Sequence, residues 1–163
     1  PASIFDFDDI MSVFPQISRI EKIHLVLLFE EAEISQNSQH VEEIIEKLNV
    51  LKHSGYDLAL SVMDKSLLLD NTFYNIFDYF IADTSMTGEL KKNNFSRLSL
   101  RSLIESLLKY KKPIIATGLE GWASVELMIK SGVTLVSSEA ISPSSEMILP
   151  VDRKKIKKLA DLL

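Results

Sequence analysis

The chain has no cysteine, only five glycines and five prolines, and no apolar run longer than a few residues. Without cysteine there is no disulfide framework and no thiolate metal site, which fits a cytosolic domain and many others besides. The longest apolar stretches, such as Leu25–Phe29 and Leu67–Leu69, fall far short of the roughly 18 to 20 residues that cross a bilayer. No basic-then-apolar segment precedes a cleavage site. The expectation is a cytoplasmic chain, or the cytoplasmic end of a membrane-anchored protein whose anchor lies upstream of Pro1. A basic excess is missing too. Eighteen Lys and Arg stand against 23 Asp and Glu, a formal charge of −5, so counter-ion release offers no drive toward nucleic acid. Scarce glycine also leaves no phosphate cradle: neither GxGxxG nor the P-loop spacing occurs.

What is present suits one domain over residues 1–163, expected to be part of a longer chain. Of the 163 residues, 46% are hydrophobic and 25% charged, enough to build one core. Short apolar runs alternate with longer segments of helical period, the pattern of βα units on a parallel sheet. Strands are expected over His24–Phe29, Asp57–Val62, Asp78–Ala82, Pro113–Thr117 and Thr134–Ser137, with a weaker sixth at Met147–Leu149. Each is brief and nearly continuous in apolar character, as in strands buried on both faces. Ser38 is placed to cap a helix whose stripe is Val41, Ile44, Ile45, Leu48 and Leu51, closed by Gly55. Further helices are expected over Ser99–Tyr110, Trp122–Lys130 and Asp152–Leu162, the last amphipathic and basic, with a weaker one at Asp6–Phe14. A Lys-Ser-Gly or His-Ser-Gly ending before a strand recurs at Lys52–Gly55 and Lys130–Gly132, a trace of repeated βα units. Periodicity does not separate a closed barrel from an open doubly wound sheet.

In either architecture ligands sit beyond the carboxyl ends of the strands. There the sequence places Glu30, Glu31 and Glu33, then Ser61 to Asp64, Asp83, Thr117 to Glu120, and Ser137 to Glu139. Glu30, Asp83 and Glu120 are the carboxylates that could hold Mg²⁺ or Mn²⁺, although acids after strands also cap helix N-termini. His24, His40 and His53 fall at a strand start, a helix start and a helix end, away from any strand's carboxyl end. Ser137 and Ser138 lack a nucleophile-elbow pattern. The basic residues Arg153, Lys154, Lys155, Lys157 and Lys158 read as a solvated face of the last helix.

The strand ends also resemble a known family. Leu27-Leu28-Phe29-Glu30-Glu31-Ala32-Glu33 is similar to the LVLEITE segment of EAL domains, TIM-barrel phosphodiesterases that hydrolyse cyclic di-GMP. Gly55 to Leu60 resembles GVRLAL, Phe77 to Asp83 resembles VDYIKID, and Ile114 to Glu120 resembles VIAEGVE, in the same order and with similar spacing. Glu126-Leu127-Met128, Gly132 and Ser142-Pro143 fall near the family's helix, glycine and late loop. The resemblance implies the carboxyl-terminal two-thirds or so of an EAL barrel: an α/β, TIM-barrel-like fold carrying its last five or six βα units.

The departures fall on the chemistry that the resemblance implies. Ser61 and Val62 stand where the family carries paired metal-binding aspartates, Ile81 where it carries the catalytic lysine, Thr117 for the first glutamate of EGVE, and Ser137 for a late glutamine. Near Pro1 to Ser3, where the family's metal-binding asparagine belongs, there is none. Glu30 matches one metal ligand, Glu120 a position that steadies the loop, and Asp83 is kept. One remaining ligand does not replace a two-metal site. The expectation is therefore a catalytically inactive EAL-like signalling domain, with no catalytic residue and no required cofactor, Mg²⁺ entering only if the Glu30 site still binds it. It would act through a protein partner or as a cyclic di-GMP sensor, Glu30, Asp83 and Glu120 then bordering the nucleotide. Two alternatives stand beside it: a divergent metal-dependent phosphodiesterase using those three carboxylates, and an open α/β regulatory domain. A half-barrel would also expose strand edges and tend to self-associate.

Overall fold

The computed structural model describes residues 26–36, 38–62, 70–84, 94–142 and 151–162. The elements alternate as the apolar runs imply: β1 (Val26–Glu30), α1 (Glu31–Gln36), a 3₁₀ turn (Ser38–His40), α2 (Val41–His53), β2 (Asp57–Val62) and α3 (Asn71–Ile76). They continue with β3 (Tyr79–Asp83), α4 (Asn94–Leu108), β4 (Ile114–Leu119), α5 (Trp122–Lys130), β5 (Leu135–Ser138) and α6 (Arg153–Ala160).

All five strands are parallel, and their order in the sheet is their order in the chain, β1-β2-β3-β4-β5. That order decides between the two architectures the periodicity left open. Parallel crossovers are right-handed, so a chain that always steps to the next strand in one direction lays every crossover helix on the same face. A doubly wound sheet instead reverses its order at a switch point. Here nothing reverses, and the sheet is singly wound, the arrangement of a barrel wall.

The two faces differ accordingly. Leu58, Leu60, Val62, Phe80, Ile114 and Ala116 are buried beneath the helices, joined by Ile44, Leu48 and Leu51 of α2 and by Phe73, Tyr74 and Phe77. On the opposite face Val26, Leu28 and Leu135 are 47%, 57% and 44% exposed. These belong to the edge strands β1 and β5. Ala59 alone breaks the alternation, buried on the open face between Leu28 and Tyr79, its neighbours in register.

Several boundaries differ from expectation, each for a local reason. The helix expected to start from a Ser38 cap begins at Val41, because residues 38–40 wind into a 3₁₀ turn; His40 is the N-cap and makes no side-chain cap bond. The strand expected to end at Thr117 runs to Leu119, carried on by a bulge between Ala116 and Leu119 in which Gly118 takes φ +69°. The strand read over Asp78–Ala82 is Tyr79–Asp83: the Asp78 amide bonds the Leu58 carbonyl, but the Leu58 amide is met by the Asp78 side chain in place of a strand carbonyl. The helix read over Ser99–Tyr110 is Asn94–Leu108, whereas Trp122–Lys130 is found as read. Two short helices, α1 and α3, were not anticipated. The weak helix at Asp6–Phe14 and the sixth strand at Met147–Leu149 lie outside the described residues.

Candidate functional site

The register assembles the strand-end residues into rows across the open face. Residues paired in a parallel ladder project to the same side. One row reads Glu30, Ser61, Ile81, Ile115 and Leu135 across β1 to β5. One pleat nearer the carboxyl end, Asp83 of β3 pairs with Thr117 of β4. Adjacent strands lie about 4.8 Å apart, so Glu30 has a hydroxyl at Ser61 as its lateral neighbour and an apolar side chain at Ile81 beyond it. Ser137 is exposed on β5, two residues past Leu135 on the same face. Glu120 is exposed and follows β4 directly.

Val62 stands apart from the rest of these positions. It is fully buried among the core residues under the helices, because successive side chains of β2 alternate and Ser61 already occupies the open face. Of the positions singled out from sequence, Ser61, Ile81, Thr117 and Ser137 face the mouth and Val62 faces the core.

Polar contacts hold the rim in place. Thr84, itself buried, donates both its amide and its hydroxyl to the Thr117 carbonyl, at 3.0 and 2.9 Å. This fixes the end of β3 against β4. The Ser138 hydroxyl donates to the Leu119 carbonyl at 2.6 Å and accepts from the Ala140 amide at 3.1 Å, which pins the bulged end of β4 to β5. Among the described residues, no three His, Asp or Glu side chains gather as a metal-ion site. Glu30, Asp83 and Glu120 share the carboxyl-terminal side of the sheet without forming such a group.

Glu31 takes a role that the sequence does not signal. Read as one more acid after a strand, it is 3% exposed and accepts a hydrogen bond from the hydroxyl of Tyr74, which is fully buried. The tie links the start of α1, directly after Glu30, to α3. Around it Tyr74 packs against Phe73, Phe80 and Tyr110 with ring centroids 5.8, 6.4 and 5.4 Å apart. Burial, then the charges of Glu31 and Asp70, push the Tyr110 phenol above its ordinary range. No spacing rule connects residues 43 positions apart, so only the fold reveals the pair.

The remaining candidates are peripheral. His40 and His53 are exposed at the two ends of α2, while His24 lies outside the described residues. The basic helix α6 is largely exposed but anchored: Lys155 Nζ donates to the Ile141 carbonyl at 2.9 Å, and Lys158 Nζ lies 4.3 Å from the Trp122 ring centre. No helix among the described residues is long and apolar enough to cross a membrane.

A singly wound parallel sheet with polar residues at its strand ends defines the barrel class of α/β protein. Within that class the chain has the fold of EAL domains. It is similar to the PaMucR phosphodiesterase in complex with c-di-GMP, with 14% identity and a TM-score of 0.67 over 94% of this chain. It is similar also to the Bacillus subtilis YkuI protein, which has an EAL domain and was solved with c-di-GMP and calcium, at 16% identity and a TM-score of 0.70 over 96% of this chain. An EAL domain protein from Listeria monocytogenes EGD-e matches over 100% of this chain and 80% of its own, at 13% identity and a TM-score of 0.51. The chain spans 61% of the first of these proteins and 39% of the second. No protein-family model and no curated protein matches the sequence.

Proposed function

We propose that this chain is a degenerate EAL-like segment that does not hydrolyse cyclic di-GMP and serves as a regulatory, protein-interaction module. The observation that carries the reading is the row Glu30–Ser61–Ile81, in which a single carboxylate stands beside a hydroxyl and a hydrocarbon. Hydrolysis of a phosphodiester by paired divalent ions needs ligands for both ions, one activating water and one stabilising the leaving oxygen. The donor set does not fit that arrangement. Ser61, Ile81, Thr117 and Ser137 also offer no cation to a bis-phosphate. The solved complexes of PaMucR and YkuI contain c-di-GMP, so this nucleotide is the ligand to test, with Glu30, Asp83 and Glu120 as its expected border.

The test is calorimetric titration of cyclic di-GMP into the protein with and without Mg²⁺, followed by product analysis of the same samples. The expected outcome is no cleavage product in either sample. Heat without cleavage identifies a sensor, and no heat at high micromolar protein identifies a scaffold. Metal-dependent turnover that Glu30→Gln abolishes would refute the reading and establish a divergent phosphodiesterase.

A further inference from the structure

On the outer helical layer, away from the strand ends, α2 and α3 leave a groove of about 500 Å³ between them. Its volume lies within the range of roughly 300 to 1,000 Å³ typical of ligand sites. One stripe of each helix builds it: on α2 positions 45, 49, 52 and 53, on α3 positions 72, 75 and 76, the spacing of side chains that share a helix face. Ile45 and Ile76 form an apolar floor and pack against the core beneath. Asn49, Thr72 and Asn75 form the rim. Among the described residues, the two side-chain amides and the Thr72 hydroxyl have no hydrogen-bond partner.

The rim chemistry selects the occupant. A carboxamide presents a donor and an acceptor together, the complement of the N–H and C=O that an extended backbone presents. Amides flanking an apolar floor therefore suit a peptide lying along the helices, its backbone bonded at the rim and alternate side chains turned down. From position 45 to position 53 the α2 stripe is about 12 Å long at 1.5 Å per residue, which matches about three or four residues of extended chain.

One end of the groove is basic. Lys52 is committed to Asp78 Oδ1 at 2.8 Å and to the Ile76 carbonyl at 2.7 Å, and Asp78 also accepts from the Leu58 amide. Lys112 reaches the rim, its Nζ 3.4 Å from the Asn75 carbonyl. His53 Nδ1 donates to the Asn49 carbonyl at 2.6 Å, which leaves Nε2 of the neutral ring as an acceptor. Lys52 and Lys112 thus both act on one carboxylate, Asp78, and only Lys52 is paired with it.

We propose that the α2–α3 groove docks an extended segment of a partner protein, with an acidic side chain of that segment seated beside Lys112. The inference rests on the interaction-module reading and names the surface that performs it.

A phage-displayed library of random heptapeptides, panned on the 163-residue protein, tests it. Enriched peptides are then synthesised with fluorescein and titrated by polarisation against wild type, Asn49→Ala/Asn75→Ala, Asn75→Glu, Lys112→Ala and the distant control Arg101→Ala. The expected result is enrichment of Asp or Glu, at least tenfold weaker binding to both Asn variants and to Lys112→Ala, and unchanged binding to Arg101→Ala. Asn75 is exposed, so Asn75→Glu, which removes the amide and repels an acidic side chain, keeps the test valid if the double variant unfolds, and melting curves identify that case. No enrichment, or peptides indifferent to these substitutions, would overturn the proposal. Absence of peptides together with absence of nucleotide turnover removes the groove alone, whereas turnover removes the module reading whatever the groove binds.

Discussion

Asp78 offers the sharpest test of how the sheet is built. It sits just before β3, where its amide donates to the Leu58 carbonyl at 2.8 Å and its Oδ2 accepts from the Leu58 amide at 3.0 Å. The side chain thereby stands in for the strand carbonyl that β3 does not yet supply, and it extends the ladder by one residue. Its other oxygen pairs with Lys52 of α2 at 2.8 Å. In Asp78→Ala the Leu58 amide, on a fully buried residue, loses its partner, at a cost of about 1–3 kcal/mol. The ion pair adds at most about 1 kcal/mol, since it is partly exposed, and Lys52 keeps the Ile76 carbonyl. A loss of about 2–3 kcal/mol follows, and a fall in Tm of about 5–10 °C for a chain of this size. Asp78→Asn retains an acceptor for Leu58 and forfeits only the pair, so its cost stays below about 1 kcal/mol.

The pH dependence has a definite sign. Burial raises the Asp78 pKa, but hydrogen bonds from Lys52 and Leu58, with the charges of Lys52 and Lys112, outweigh it and hold the carboxyl below 3.8. A folded-state value below the unfolded one contributes stability that is complete above the unfolded value and is lost as pH falls through the folded one. Urea denaturation of wild type and Asp78→Asn should therefore show a gap near neutrality that closes as pH falls below about 4. An Asp78→Ala cost under about 0.5 kcal/mol, or a gap that widens in acid, would refute the reasoning.

Two further substitutions probe the core and a turn by the same urea measurement. Tyr74→Phe removes a partner of the buried Glu31 and should cost about 1–3 kcal/mol, while Tyr110→Phe, whose hydroxyl meets Asn71 at the surface, should cost under about 1 kcal/mol; equal costs would contradict the buried tie. Gly132 and Gly55 hold φ of +96° and +90°, but an added Cβ at Gly132 meets Leu108 Cδ1 at 3.1 Å and one at Gly55 meets nothing within 4 Å. Both Ala variants carry backbone strain of about 1–3 kcal/mol, and Gly132→Ala should be the less stable of the two; the reverse order would contradict the crowding argument.

Local rules reached the elements whose cause is local. β2 is found from Asp57 to Val62 as read, because an apolar run follows a helix-ending glycine. The short helices α1 and α3 escaped because six residues give fewer than two turns and no period to detect. For α3 one signal was present: Asp70 is its N-cap, with a side chain that accepts from the Phe73 amide. The choice between open sheet and barrel wall lay beyond any window, since strand order depends on which distant runs pair. At the site, spacing located the residues that end each strand. The opposite directions of Ser61 and Val62 follow from the pleat alone, and period two applied to adjacent residues separates them.

That same period explains how a fold persists at 13–16% identity to its structural neighbours. Along each inner strand, residues that build the core interleave with residues that line the mouth: Leu60 with Ser61, Phe80 with Ile81, Ala116 with Thr117. The first of each pair is fully buried under the helices, where loss of volume costs several kcal/mol. The second faces away from that layer, and its replacement leaves the helix-side packing intact. Charge at the mouth and cohesion of the wall are thus nearly independent variables. In the proposed reading, substitution at the mouth ends the reaction without loosening the scaffold, and the outer groove between α2 and α3, built from neither set of residues, is free to carry the new contact.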